Sequence, residues 1–296
     1  MKKYILLVSA AILLAACNSE DNYMEEPVVA QISATIGQGA ASRACDEKWT
    51  EGDEIGVTMG DLYINRKYTT ESGDGTFTGA LMYFKNKKDK LTVSAYYPYS
   101  GAEGTSAPVV ETSTDTDRQT ATEQPKIDFM YTTMDGVSGA QPDVNLRFYH
   151  KMSKLTLIFK NGNEGTDVGK IISYKIDGLI LDGTFNPLDG VCMAKADGEA
   201  RSINIEMPLG TVKDGARVFP LILFPQVVNK LPMRIHDSEG QDYVCELNIG
   251  ADGLVAGNNY LFTITVKKTS LSVSSSIVDW ETETGSSEAK SDDSDD

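Results

Sequence analysis

A chain of 296 residues with 41% hydrophobic and 24% charged residues can build one large folded domain or two ordinary ones, which excludes wholesale disorder. Lysine and arginine number 27 against 43 aspartates and glutamates, a net charge of −16; this excludes a nucleic-acid binder, which needs a basic face, and docking on anionic lipid through a basic patch. Only two histidines occur, His150 and His236, so a mechanism built on a histidine cluster lacks its parts.

The chain opens with an address. Lys2 and Lys3 precede an apolar run from Tyr4 to Ala16, the basic and hydrophobic regions of an export signal. The run is short for a permanent membrane span. It ends in Leu14-Ala15-Ala16-Cys17, which resembles the bacterial lipobox, and the resemblance implies that the Cys17 sulfur takes a diacylglycerol. Several acyl chains on one cysteine anchor a chain firmly, at about 0.8 kcal/mol per buried CH₂. The next residues, Asn18-Ser19-Glu20-Asp21, resemble the surface-export signal of lipoproteins of Gram-negative anaerobes and read equally as a polar tether. No second apolar run of membrane length follows, so the rest is expected to be soluble and extracytoplasmic.

From residue 28 onward period-two alternation dominates, and no long stretch has a helical apolar stripe. Ile32, Ala34 and Ile36 form the first alternating strand. The small, flexible segment Gly37–Ser42 and Arg43 follow it. Val93, Ala95 and Tyr97 mark a later strand, and the polar stretch Gly101–Pro125 reads as a long exposed loop. Gly136–Asp143 reads as a link between halves. Beyond it, alternation resumes at Val144/Leu146/Phe148, Leu155/Leu157/Phe159, Ile203/Ile205/Met207, Leu231/Met233/Ile235, Tyr243/Cys245/Leu247 and Tyr260/Phe262/Ile264. Turns such as Ser72-Gly73-Asp74-Gly75, Asp182-Gly183 and Asp214-Gly215 separate these runs. About a dozen short strands over this length exceed one small sandwich and fit an all-β chain of two tandem β-sandwich domains. The expected organisation is a signal over 1–17, a pro-segment with the first strand over 18–43, domains over 44–143 and 144–280, and an acidic, disordered tail over 281–296. That tail carries seven acidic residues against Lys290, so much of the negative charge lies outside the folded body.

Several stretches, in this order, resemble the fimbrillin-like family. They are Trp49-Thr50-Glu51-Gly52-Asp53-Glu54-Ile55-Gly56-Val57, Ser94-Ala95-Tyr96-Tyr97-Pro98-Tyr99, Phe148-Tyr149-His150-Lys151-Met152-Ser153-Lys154-Leu155, and Leu254 to Val266 closing at Ile277-Val278-Asp279-Trp280. The resemblance implies a type V pilus subunit exported as a lipoprotein, with two transthyretin-like β-sandwich domains. It also implies that an arginine-specific, trypsin-like protease removes the first strand, and that a strand from another subunit enters the emptied groove. The partners implied are other subunits, the processing protease, the outer membrane through the precursor's lipid, and a host or bacterial surface ligand; the final location is a cell-surface fimbria. Two features depart from the pattern: sixteen residues follow Trp280, which leaves tip or accessory positions open, and Cys45 has no family counterpart.

The residues can be read for that chemistry on their own. Arg43–Ala44 reads as a cleavage site, because proteases cut exposed flexible segments. Loss of Ile32, Ala34 and Ile36 leaves an apolar groove with unpaired backbone groups, which another strand must fill. Leu271, Val273, Ser275 and Ile277 have the alternation required of a donor. Equally, Arg43 reads as one surface arginine and residues 271–280 as the sandwich's own last strand; the family resemblance favours processing. A surface glycan-binding lipoprotein that retains its lipid anchor is the alternative function, with Tyr96, Tyr97 and Tyr99 as a stacking platform or, more simply, as core. His150 and Ser153 are three residues apart without a G-x-S-x-G turn, so no catalytic residue is assigned, and His150 reads as a structural hydrogen bond at a strand end. Asp115/Asp117 and the acidic tail lack the pattern of a calcium loop, and no cofactor or metal is expected. Cys192 and Cys245 read as buried thiols or as one disulfide.

Overall fold

A computed structural model describes residues 26–37, 48–162, 167–207, 215–267 and 270–280. Cys17, Arg43, Ala44, Cys45, the signal and the acidic tail lie outside the described residues.

The first half contains β1 (Val28–Val29), β2 (Gln31–Ile36), β3 (Glu54–Met59), β4 (Tyr63–Thr69), β5 (Thr78–Gly79) and β6 (Tyr83–Phe84). It continues through β7 (Leu91–Tyr97), β8 (Val110–Ser113), the short helix α1 (Gln124–Ile127), β9 (Met130–Val137) and β10 (Asp143–His150). Seven strands form one sheet in the order β2-β10-β9-β7-β3-β4-β5, and β1 pairs separately with β6. The inward alternation of these strands builds one core: Ile55, Val57, Val93, Val144 and Phe148 are fully buried, with Trp49 among them. Gly56 in β3 lies under Tyr96, where a Cβ would sit 2.3 Å from the ring, so this strand position requires glycine.

The second half contains β11 (Ser153–Asn161), β12 (Ile171–Ile180), β13 (Asp182–Asn186), β14 (Val191–Ala194) and β15 (Ala200–Glu206). It ends with β16 (Ala216–Leu223), β17 (Lys230–Asp237), β18 (Asp242–Asn248), β19 (Asn258–Lys267) and β20 (Ser270–Asp279). Two four-stranded sheets, β16-β11-β19-β20 and β15-β12-β17-β18, face each other over a second core that includes Leu157, Phe159, Ile176, Leu231 and Ile235. Opposed sheets whose strands alternate apolar inward and polar outward are a β-sandwich, so the all-β, two-sandwich expectation holds.

Two parts of the sequence reading need correction. Asp143–His150 does not open the second half: β10 pairs with β2 and β9, and Val144, Leu146 and Phe148 enter the first core. Gly136–Asp143 is therefore the turn of the β9–β10 hairpin, closed by Gln141 N–H donating to the Ser138 carbonyl at 3.0 Å. The chain passes between cores after His150. Phe148 belongs to the first core, Met152 to the boundary and Leu155 to the second core. Alternation identified the strand, but alternation cannot say which core its apolar face meets.

The polar stretch Gly101–Pro125 is likewise not a free loop. Its β8 pairs with β13, making a three-stranded sheet β14-β13-β8 that joins the halves. Gln119 donates through Nε2 to the Ile222 carbonyl at 2.9 Å and accepts from the Ile222 N–H through Oε1 at 3.0 Å. Gln124 donates to the Pro220 carbonyl at 2.8 Å. These amides pair the open edge of β16, so a polar composition is what the location demands. Beneath them a third apolar cluster, with Tyr96, Phe129, Met152, Phe185, Phe224 and Trp280, is shared by both halves. Phe185 stacks on Phe129 with ring centroids 4.6 Å apart.

Because Phe185 is fully buried where both halves meet, Phe185→Ala should lower the unfolding free energy by about 3–5 kcal/mol. Urea denaturation of the purified protein measures this, and a change under 1 kcal/mol, on the scale of ordinary surface substitutions, would contradict a shared core.

Candidate functional site

The first strand lies in a slot rather than on a surface. β2 runs parallel to β10, from Gln31 opposite Asp143 to Ile36 opposite Phe148. Residues 75–84 run along its other edge. There the Ala34 N–H donates to the Gly75 carbonyl at 2.8 Å, the Phe77 N–H to the Ile32 carbonyl at 3.2 Å, and the Ala30 N–H to the Met82 carbonyl at 2.9 Å. β1 completes this edge by pairing Val28 with Phe84. Both ends are also tied, with the Gln31 N–H donating to the Pro142 carbonyl and the Gly37 N–H to the Phe148 carbonyl, each at 2.9 Å.

Ala30, Ile32, Ala34 and Ile36 point into the first core and are at most 7% exposed. Ser33 turns outward, and its hydroxyl donates to Asn145 Oδ1 on β10. Two neighbours pinch the strand at Ala34. The Trp49 indole N–H donates to the Ala34 carbonyl at 2.9 Å, and the ring is fixed by edge contacts with Phe77, Tyr97 and Phe148 at 5.1, 5.5 and 5.2 Å. Gly75, at φ +89°, approaches so closely that a Cβ would lie 2.5 Å from the Ala34 carbonyl oxygen; only glycine fits. The turn after Trp49 is held by Asp53, which accepts from the Thr50 N–H at 2.7 Å and from the Tyr97 hydroxyl at 3.0 Å. Burial, reinforced by that carboxylate, pushes the Tyr97 phenol well above its ordinary value.

At the Ile36 end the slot opens on a cavity of about 300 Å³ between the halves, bordered by Trp49, Asp53, Asp128, Lys154 and Trp280. The boundary histidine sits nearby. His150 Nδ1 lies 2.8 Å from Asp128 Oδ1, and the imidazole stacks on Trp280 with centroids 4.1 Å apart. Lys154 Nζ stands 5.3 Å from the centre of the Trp280 ring. The Ser153 hydroxyl turns away and donates to the Val255 carbonyl at 2.7 Å. His150 is thus the strand-end structural group expected from the sequence, and it holds the residue that follows β20, Trp280, against the junction.

Leu271, Val273, Ser275 and Ile277 lie on β20, which pairs antiparallel with β19 over its full length. Leu271 and Val273 pack against the second core. Ser275 and Ile277 continue the same face but are exposed, Ile277 by 54%, because the opposite sheet does not reach them. Within a single chain, then, β20 is the sandwich's own edge strand, with half of its apolar face unused.

The remaining candidate residues are structural. Tyr96 and Tyr97 are buried, Tyr99 is half-buried against the third cluster, and the Tyr96 hydroxyl donates to Asn65 Oδ1 at 2.8 Å, so the three pack in cores as the simpler sequence reading had it. Cys192 and Cys245 are separate free thiols. Burial, with a smaller contribution from the Asp128 carboxylate, pushes the Cys192 thiol well up; burial alone raises Cys245 to about 11. Among the described residues no cluster of histidine, cysteine and carboxylate side chains is arranged to hold a metal ion. Residue reading missed the closing segment 75–84, the pinch at Ala34 and the Asn145 contact. The available signals were Trp49 before Gly52-Asp53 and the glycine pair Gly73/Gly75, but neither says which strand it touches.

Comparison with known proteins adds the relatives. A profile of the fimbrillin-like family matches residues 42–280. The protein assigned as fimbrium subunit Fim1C of Bacteroides uniformis is 30% identical over 306 aligned positions, covering 95% of this chain and 96% of that one. Among solved structures, a protein assigned to cell adhesion from Bacteroides ovatus superposes with a TM-score of 0.72 at 27% identity, covering 86% of this chain and 98% of that one. A second such protein, from Bacteroides uniformis, gives a TM-score of 0.65 at 26% identity over 84% and 99% of the two chains.

Trp49 closes the slot through one hydrogen bond and a large ring. Trp49→Phe should lower the unfolding free energy by about 1 kcal/mol through the lost donor, and Trp49→Ala by about 3–5 kcal/mol through the cavity as well. Equal losses for the two substitutions in urea titrations would remove the ring from its assigned role.

Proposed function

This chain belongs to the fimbrillin-like family, and on that premise we propose that it is a fimbrial subunit assembled by exchange of its first strand. The chain is exported as a lipoprotein, acylated on Cys17 and carried to the outer membrane. An arginine-specific protease cuts after Arg43, leaving Ala44 as the new N-terminus. The segment holding Ile32, Ala34 and Ile36 departs, and the C-terminal strand of another subunit, presenting Leu271, Val273, Ser275 and Ile277, takes its place. Repetition of that step builds a cell-surface fimbria with adhesive contacts to host or bacterial surfaces; positions at the tip or as an accessory subunit are compatible with the long tail.

The observation that carries this reading is the double-edged pairing of β1–β2. A strand bonded on both sides and buried on alternate residues cannot simply be lost, because its neighbours would expose unpaired N–H and C=O groups beside an apolar trench. A replacement strand satisfies both demands through main-chain bonds and alternating side chains. β20 has the reach: Val28–Ile36 and Ser270–Asp279 each span about 30 Å at roughly 3.3 Å per residue. It also carries an exposed apolar residue, Ile277, that its own sandwich does not use.

N-terminal sequencing of surface-assembled protein should begin at Ala44, and Arg43→Ala should leave the precursor uncut and unassembled. A polymerised chain still starting at Cys17 would overturn the processing step. Deletion of residues 271–280 should abolish the ladder of polymers in unboiled gel samples, and an intact ladder would remove β20 as the donor.

A further inference from the structure

The strand that leaves and the strand proposed to replace it resemble each other residue by residue. Read in the same direction, Gln31-Ile32-Ser33-Ala34-Thr35-Ile36 and Ser272-Val273-Ser274-Ser275-Ser276-Ile277 are each polar, β-branched aliphatic, serine, small, hydroxyl-bearing and isoleucine in turn. We propose that the C-terminal strand of a second copy of this chain enters the slot in the direction of β2, parallel to β10, with Ser272–Ile277 lying where Gln31–Ile36 lay and Ser275 in the place of Ala34. This inference rests on the strand-exchange reading above and adds its register, direction and partner.

The register follows from the sizes of the inward side chains. Ala34 points into the packed first core and is only 3% exposed, so its position holds a small side chain and a larger one overpacks it. On the apolar face of β20 the candidates are Leu271, Val273, Ser275 and Ile277, and Ser275 alone is small. A slip of two residues would press Val273 or Ile277 into the Ala34 position and leave Ser275 in a hole shaped for isoleucine, combining overpacking with a void. A slip of one residue would turn the whole apolar face to solvent. With Ser275 at Ala34, Val273 and Ile277 meet the sites of Ile32 and Ile36. The outward serine opposite Asn145, which accepts the Ser33 hydroxyl in the unprocessed chain, is replaced by a serine again.

The direction follows from charge. Centring Ser275 on Ala34 permits either orientation, since Ser274 and Ser276 flank it on both sides. Reversed, the strand places Asp279 at the position of Ala30, which is only 6% exposed and beside Met82. A buried unpaired carboxylate is far costlier than an oversized aliphatic group. In the direction of β2, that position receives Leu271, an uncharged apolar residue at a buried apolar site. Asp279 and Trp280 then run past the Ile36 end, where the cavity between the halves gives them room.

Cysteine pairs separate these arrangements in polymers formed by the full chain, with Cys45, Cys192 and Cys245 replaced by alanine. Asn145→Cys with Ser274→Cys should link neighbouring subunits on mild oxidation and give a ladder that boiling leaves intact and a reductant dissolves. Asn145→Cys with Ser276→Cys should not, because in the proposed direction those positions lie about two residues out of step, too far for a disulfide. Preferential linking of 145 with 276 would overturn the direction. Polymers that assemble normally while neither pair links would overturn the register and leave strand exchange standing; failure of the unsubstituted chain to polymerise would sink both. A second variant needs no cysteines. Ser275 is exposed in the folded subunit, so Ser275→Leu should leave the monomer's thermal midpoint unchanged yet abolish the ladder, whereas Ser275→Ala should keep it. A Ser275→Leu ladder equal to that of the unsubstituted chain would remove Ser275 from the Ala34 position.

Discussion

The architecture of the first half depends on one requirement: β10 and the stretch 75–84 are held apart by a single strand whose main chain bonds to both. β2 supplies parallel partners to β10 along one edge and bonds to Gly75 and Phe77 along the other, with Ala30 just before it bonded to Met82. Without a strand there, two rows of backbone groups lose their partners and the apolar floor under Ile32, Ala34 and Ile36 meets water. Trp49 and Gly75 narrow the slot at Ala34, and Asp53 and Tyr97 hold Trp49 in place. The Trp-Thr-Glu-Gly-Asp sequence is therefore the lid frame of this slot as well as the approach to β3.

The two halves are joined by more than a linker. Gln119 and Gln124 pair with the main chain of β16, and β8 enters a sheet with β13 and β14. Phe129, Phe185 and Trp280 occupy one apolar cluster under these contacts. The stack of His150 on Trp280, with Asp128 on the imidazole, ties the end of β20 to the boundary near the Ile36 end of the slot. Ile36 at the end of β2 and Trp280 after β20 thus border the same cavity.

Much of the strand content was legible because alternation is a local property. Ile32/Ala34/Ile36, Val93/Ala95/Tyr97 and Leu155/Leu157/Phe159 all prove to be inward faces. What failed was the assignment of strands to cores. Val144/Leu146/Phe148 alternates as cleanly as any other run, and nothing local shows that its partner is a strand more than a hundred residues earlier. The stretch 101–125 failed for the opposite reason: its polar side chains serve backbone groups of a distant strand, and composition cannot distinguish that service from solvation. The slot-forming strand was visible in the pattern, but the pinch at Ala34 was not, because it is made by Trp49 and Gly75 meeting across the chain.

The sequence by itself determined the inward faces of the strongly alternating strands and the family resemblance, since period and motif order are local or additive. Only the tertiary structure decided which strands share a sheet, that β2 is bonded along both edges, that Ile277 lies on an uncovered face, and that Trp280 closes against His150. Those depend on contacts between residues far apart in the chain. Hydrogen-bond pairing and close packing select such contacts from many patterns that look alike when read along the chain alone.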